Sequence, residues 1–394
     1  MRRSMVAMVD RAPGKRRGLE VVCGAHTQGG RGKGGSRPLD MLCVCPFFIK
    51  SDASRSCVQR PIMALLQCPA AWRRGETPST LRASVSNYDA ELMALRDSAS
   101  LDRAIEDWQS KAASATVPTL LHQSWKSCSI NPDQSSWRRQ CERVLPSSWR
   151  TWLWTDDDNR DFMRSEFPSF LKLYDSYDMH IKRVDMVRYF YLWRFGGVYM
   201  DLDFACLRDF AEITLHGHPL LRAGRATFGS NAPHVNCYNA TCVPYRSEAV
   251  PNAFMAAPPR HPFFAWLIHR LPSAANRTLK GHRSPIYSTG PGFLSESVRW
   301  YARDALRRRR ASLTLLPKNY VFNWVAFINS KRHPCGYDAM HVNLRMSDVE
   351  QIKLWRACAA KLHNAAVTTF WSHSWAVPSA PSPAAPASSS FALR

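Results

Sequence analysis

Between Ile181 and Cys206 the chain reads IKRVDMVRYFYLWRFGGVYMDLDFAC, and the period of its apolar positions changes part-way along. In the first half they fall at Ile181, Val184, Val187, Tyr191 or Leu192, and Phe195, the spacing of a helix with one buried stripe. Asp185 and Arg188, three residues apart, then project from one patch of that helix. Gly196 and Gly197 supply the left-handed residue that ends a helix, and VYMDLDFA follows as a strand of about eight residues. Strand alternation places Tyr199, Asp201 and Asp203 on one face and Val198, Met200, Leu202 and Phe204 on the other. Two carboxylates about 7 Å apart at Cα, on an otherwise apolar strand, are costly to bury without a partner. A divalent cation compensates best, because hard oxygen ligands suit magnesium or manganese. An isolated D-x-D is common by chance as ordinary surface or cap residues. Here the helix, the Gly-Gly break and the strand give it the structural context that a motif requires.

The same alternation of short apolar runs and helical periods extends on both sides. VPTLLHQSW, from Val117, predicts a first strand opened by a proline. WRTWLWTDDD, from Trp149, predicts a second strand that runs into a helix whose first turn Asp156, Asp157 and Asp158 cap. Beyond the D-x-D, PLLRAG is strand-like, and an irregular stretch from Arg225 to Glu248 follows. NAFMAAPPRHPFFAWLIHRL, from Asn252, predicts a strand, a Pro-Pro break and an amphipathic helix begun by Pro262. In YSTGPGFLSESV, Gly290 and Gly292 allow close backbone approach and Pro291 stiffens the turn.

Composition bounds these elements to one domain. Residues 1–115 are rich in Arg, Gly, Ser and Pro and lack sustained periodicity, so that region is expected to be largely disordered apart from a short helix over 85–111. The domain is expected over 116–377, and the Pro, Ala and Ser of 378–394 form an unstructured tail. The formal charge of +22 suits nucleic acid, an acidic membrane surface or a phosphorylated substrate. No zinc-finger spacing or RNA-binding signature accompanies the Arg307 to Arg310 run, so no nucleic-acid partner is expected. Met41 to Ile49 is far shorter than the roughly 20 apolar residues that a membrane span needs. The twelve cysteines show no C-x-x-C pair. Cys128, Cys141, Cys206, Cys237, Cys242, Cys335 and Cys358 fall in the domain, as do N-x-T sequons at Asn239 and Asn276.

The central stretch resembles the D-x-D region of glycosyltransferase family 32, whose pattern is a D-x-x-R-Y helix, a Gly-Gly-(Val/Ile)-Tyr turn and a D-x-D strand. Asp185, Arg188, Tyr189, Gly196, Gly197, Tyr199, Asp201 and Asp203 match it one by one. HQSW, the Asn252 block, STGPGFLS and TTFWSHSWAV extend the likeness over roughly Val117 to Trp375. The flavour is nearest to inositolphosphoceramide mannosyltransferases and initiating mannosyltransferases. The resemblance implies an α/β fold of GT-A type, with a mixed sheet flanked by helices and a site at the carboxyl ends of the strands. It implies that Asp201 and Asp203 are catalytic and hold Mn2+ or Mg2+, with His373 as a further ligand in a segment that also offers Ser374 and Trp375. Asp185, Arg188 and Asn252 are implied to contact the donor sugar, Gln123 and Trp125 the nucleotide, and Gly290, Pro291 and Gly292 to border the pocket. Trp125 reads equally as a core aromatic, and Asn252 equally as a side-chain cap.

The activity so implied is metal-dependent, configuration-retaining transfer of a hexose from a nucleotide sugar to a glycan or glycolipid. GDP-mannose is favoured over UDP-sugars, and the donor phosphate takes the acceptor proton. Location in the Golgi or secretory lumen, with membrane association, goes with it, and so does a disulfide, expected between Cys237 and Cys242. Two other readings stand beside it: a haloacid-dehalogenase-like phosphatase with the first Asp as nucleophile, and a basic binding protein that keeps the fold without activity.

Overall fold

The computed structural model describes residues 87–215, 217–231, 250–277, 281, 283–307, 312–323, 333–336, 339 and 346–370. Its centre is a six-stranded mixed sheet in the order β2-β1-β3-β8-β7-β9. These strands are β1 (Leu120–Ser124), β2 (Arg150–Trp154), β3 (Gly197–Met200), β7 (Ala226–Gly229), β8 (Phe254–Ala257) and β9 (Leu313–Leu316). β1 runs parallel to β2 and β3, β8 is antiparallel to both β3 and β7, and β7 is parallel to β9. The expected α/β class with a mixed sheet flanked by helices is what forms.

The helix α6 (His180–Phe195) is buried far beyond the single stripe that its sequence predicts, with every residue from Asp185 to Trp193 inside. It packs between the sheet, the helices α4 (Asp156–Glu166) and α5 (Pro168–Ser176) on one flank, and α7 (Pro262–Ala275) on another. A helix walled on several sides is apolar nearly all round. It stops where predicted. Gly196 and Gly197 both have positive φ, and a Cβ on Gly197 would lie 2.4 Å from the Leu120 carbonyl oxygen of β1. No side chain fits there, so the two glycines fix how closely α6 and β3 approach β1.

His122 locks the same junction. It is wholly buried, accepts from Trp154 Nε1 at Nδ1 (3.1 Å) and lies 2.9 Å through Nε2 from the Gly196 carbonyl. Nε2 therefore carries the proton of a neutral ring.

The eight-residue strand expected through the D-x-D does not form. β3 ends at Met200, Asp201 to Asp203 turn, and β4 (Phe204–Cys206) joins a separate ladder with β10 (Val367–Thr369). The chain passes from one sheet to another at the two aspartates, and this leaves both half-buried at the junction. PLLRAG is not a strand either. His218–Pro219 (β6) pairs only with Thr214–Leu215 (β5), and β7 begins inside the stretch expected to be irregular. Of the Asp156 to Asp158 run expected to cap the helix, only Asp158 takes part, in a capping box whose N-cap is Thr155; Asp156 and Asp157 lie in the first turn. Gly290 lies in a two-residue break between α8 (Arg283–Ser288) and α9, which Pro291 opens (Pro291–Arg307).

Two helices occupy 88–111 where one was expected, α1 (Tyr88–Met93) and α2 (Ser98–Lys111). Tyr88, Leu92 and Ile105 enter the main hydrophobic core, and the Arg194 and Arg260 guanidiniums sit 3.5 and 4.2 Å from the Tyr88 ring centroid. The Cys237 and Cys242 expectation lies outside the described residues. Among the described residues, disulfides join Cys141 of α3 (Pro132–Val144) to Cys206 of β4, and Cys335 to Cys358 of α11 (Asp348–Lys361). No helix among the described residues is long and apolar enough to cross a membrane.

Two outcomes follow from these contacts. Burial pushes the His122 imidazole down to about 4, so between pH 6.5 and 4 the unfolded chain binds a proton that the folded chain refuses. Stability is then full above about pH 6.5 and falls as the pH drops, on the order of 3 kcal/mol by pH 4. In urea unfolding at a series of pH values, His122→Gln should be weaker than wild type at pH 7 but lose less on acidification; parallel slopes would contradict the assignment. Thiol labelling of natively expressed, unreduced and unfolded protein should leave Cys141 and Cys206 unmodified. The 65-residue separation makes this bridge worth up to roughly 4 kcal/mol in the chain-entropy account.

Candidate active site

A cavity of about 370 Å³ opens beside the carboxyl end of β1, walled by α6, the β3–β4 junction and the segment before β8. From α6 it takes Ile181, Val184, Asp185 and Arg188, one helical face of mixed apolar and charged character. Asp185 and Arg188 are almost wholly buried, and Arg188 is the hub. Its Nη2 lies 3.0 Å from Asp185 Oδ1, and its Nη1 donates to Asp201 Oδ1 at 3.0 Å and to the Asn252 carbonyl at 2.9 Å. Asn252 Nδ2 donates to Asp185 Oδ1 at 2.9 Å, and the Tyr199 hydroxyl donates to Asp201 Oδ1 at 2.7 Å. The Arg188 guanidinium also stands 4.4 Å from the Tyr199 ring centroid. One buried cation thus fixes two carboxylates and a main-chain carbonyl that come from three separate pieces of chain.

Burial pushes the Asp185 carboxyl up to about 6, against the pull of Arg188 and of the Asn252 hydrogen bond, while the neighbouring Asp201 charge adds to the rise. Burial likewise pushes the Tyr199 phenol well up, so it remains a donor. The Asp201 side chain is 36 % exposed, and the network engages only its Oδ1. Asp203 lines the same cavity, and its carbonyl accepts from Phe370 N at 2.8 Å, next to β10. Thr369 of β10 also reaches the cavity, so the TTF segment lies directly behind the D-x-D.

Most of the expected site residues meet here. Trp125, Asp185, Arg188, Asp201, Asp203 and Asn252 line the cavity, and so does Pro291. Gln123 does not: it is fully buried and accepts from Arg138 Nη1 at 2.9 Å through Oε1. Gly290 and Gly292 stand behind the wall. A Cβ on Gly290 would lie 3.0 Å from Asp185 Oδ2, and one on Gly292 would lie 2.7 Å from the Tyr287 ring. Their glycines therefore serve packing against Asp185 and Tyr287. His373, Ser374 and Trp375 lie outside the described residues. Sequence reasoning gave no role to the Tyr199 hydroxyl or to Gln134, although Gln134 also lines the cavity. The alternation that put Tyr199 and Asp201 on one strand face was the signal for the first.

Among the described residues no three His, Cys, Asp or Glu side chains gather as a metal cluster. The donor set still fits magnesium or manganese, which bind through one or two carboxylates and take remaining ligands from phosphates and water. Asp201 and Asp203 are two hard oxygen donors at the cavity edge, and Arg188 and Tyr199 set the orientation of Asp201.

Comparison with known proteins bears on this arrangement. Inositol phosphoceramide mannosyltransferase 3 of Schizosaccharomyces pombe is 33% identical over 182 residues, 46% of this chain and 45% of that protein. Inositol phosphoceramide mannosyltransferase 1 of the same yeast is 31% identical over 219 residues, 55% of this chain and 61% of its own length. Mannosyl phosphorylinositol ceramide synthase SUR1 of Saccharomyces cerevisiae is 30% identical over 213 residues, 54% of this chain and 50% of that one. The chain thus spans about half the length of the curated relatives it matches. Residues 87–218, which carry Asp185, Arg188, Asp201 and Asp203, match the family described as glycosyltransferase sugar-binding region containing DXD motif.

Proposed function

We propose that the protein transfers a hexose, mannose in preference, from a nucleotide-diphosphate sugar to a glycolipid or glycan such as inositolphosphoceramide. The observation that carries this reading is the convergence of Asp185, Arg188, Asn252 and Asp201 on one network beside Asp203 in a single cavity. Such a set presents carboxylate, guanidinium and amide groups together, which is what recognition of several sugar hydroxyls requires. The mannosyltransferase names of the relatives support the choice of sugar and of a lipid acceptor. Secretory-pathway residence and association with a membrane surface go with that acceptor and remain part of the proposal.

Within this reading each group has a task. Asp185 and Asn252 orient sugar hydroxyls, and Arg188 holds the carboxylates apart from one another and in place. Mn2+ or Mg2+ held by Asp203 and Asp201 would neutralise charge on the departing diphosphate. The acceptor proton passes to the donor phosphate as the new bond forms on the face the diphosphate leaves, and the anomeric configuration is retained. The phosphatase alternative asks Asp201 to attack as a nucleophile. Its Oδ1 is held by Arg188 and Tyr199, and the strand before it is third in chain order, not first, so the arrangement favours the transferase.

Three measurements test this. A screen of purified protein with manganese against GDP-mannose, UDP-galactose and UDP-glucose should show donor turnover; none with any donor would remove the transferase reading. Asp203→Ala should keep the wild-type unfolding midpoint and retain less than about a tenth of the transfer rate, a barrier increase above roughly 1.4 kcal/mol. GDP should raise the thermal midpoint more than UDP at equal concentration, because the tighter ligand of the folded state stabilises it more. Equal or greater protection by UDP would overturn mannose while leaving glycosyl transfer standing.

A further inference from the structure

The two aspartates of the motif are carried by two different frames. Asp201 belongs to the six-stranded sheet: its nitrogen donates to the Ala253 carbonyl at 3.0 Å, and Arg188 and Tyr199 hold its Oδ1. Asp203 belongs to the small ladder, since its carbonyl accepts from Phe370 N and the next residue opens β4. That ladder is short, with Phe204, Ala205 and Cys206 paired to Thr369, Thr368 and Val367. Two strands alone are marginal, so the place of the ladder against the main sheet is set from outside. α3 does this at both strands. Cys141 joins Cys206 covalently, Gln140 Nε2 donates to the Cys206 carbonyl at 3.3 Å, and Trp137 stacks on the Phe370 ring with centroids 4.3 Å apart. Both cysteines are fully buried, and Asp185, Arg188, Asp201 and Asp203 all lie within the 65-residue separation that the bridge closes.

We propose that Cys141 and Cys206 are positioning residues for the divalent cation: their disulfide fixes the frame of Asp203 relative to that of Asp201, so that both carboxylates reach one ion. The inference rests on the reading of the D-x-D as a cation site. A binding constellation has to be held within about 0.5 Å of its productive geometry, so a small shift of β4 weakens it while the fold survives. Survival is expected because Phe204, Cys206 and Val367 are packed in one apolar cluster with Phe254, Leu316 and Phe322. Without the bridge the ladder keeps that apolar bed and loses its covalent stop.

The test compares the full chain with Cys141→Ala/Cys206→Ala, which leaves neither thiol of the pair, and with Leu271→Ala, which opens a cavity in the main core outside the lining of the site. Calorimetric titration with manganese, alone and with pyrophosphate, is run beside thermal unfolding and donor turnover over a range of manganese concentrations. Expected for the cysteine pair is a loss of manganese affinity of about tenfold or more, with turnover that recovers as manganese is raised. Expected for Leu271→Ala is a lowered Tm with manganese affinity unchanged. If the double variant does not fold, Cys141→Ala alone, which keeps the Cys206 side chain in its cluster, is read in the same way; failure of both to fold makes the bridge a folding element and overturns the proposal. Unchanged manganese affinity without the bridge overturns it too, and so does an equal loss in Leu271→Ala, the signature of general softening. Wild-type protein that binds no manganese, alone or with pyrophosphate, removes the cation reading itself.

Discussion

The buried Arg188 guanidinium is the constraint on which the rest of the site depends. It bridges Asp185, three residues earlier on α6, and Asp201, thirteen residues later at the end of β3, and it reaches the Asn252 carbonyl before β8. A charge taken out of water is tolerated only when paired and hydrogen-bonded, so each of these partners must be where it is. Breaking a buried pair by removing one member typically costs about 3–5 kcal/mol, because the other charge stays behind uncompensated. The same bonds that keep Arg188 in the fold thus dictate the geometry of the cavity.

That hub can form only if α6 is brought down against β1, and backbone sterics decide this. At Gly197 a side chain would collide with the Leu120 carbonyl, and at Gly196 with Pro259. His122 then ties the Gly196 carbonyl to β1, with Trp154 holding the imidazole from β2. Helix, three strands and the site are joined through a few atoms, and the ladder of β4 with β10 closes the far side of the D-x-D.

Local signals made some of this legible in the sequence and long-range ones hid the rest. The α6 period, the Gly-Gly stop and the helix begun by Pro262 depend on near neighbours, and each formed where its pattern placed it. Strand alternation put Tyr199 and Asp201 together correctly but could not show that β3 would end at Met200, because β4 is diverted by pairing with residues more than 160 positions away. Gln123 looked ligand-facing only because HQSW was read without α3, whose Arg138 claims its oxygen. Gln134, which lines the cavity, carried no motif at all. The Cys141–Cys206 bridge was equally silent, since scattered cysteines allow many pairings.

On the proposed function, charge gives a reason for a cation to accompany a diphosphate in this cavity. Asp185 and Asp201 pair with Arg188, and Asp203 lines the same cavity, three carboxylates beside one guanidinium, with Lys126 and His180 also on the lining. Burial relieves part of the excess by drawing the Asp185 carboxyl up to about 6, where a proton is easily held. Asp201 and Asp203 stay at the more exposed edge, where, on the proposed function, an incoming diphosphate would meet like charge. In that reading Asp201 and Asp203 would hold a hard divalent ion, which would supply charge to offset the repulsion, and Asp201 would bind it through the oxygen that Arg188 and Tyr199 leave outside the network. The fold thus divides the two aspartates of the motif from their helical neighbour by depth: the deep one is paired with arginine and asparagine, and the shallow ones line the cavity edge, where the proposed ion and its phosphate ligands would bind.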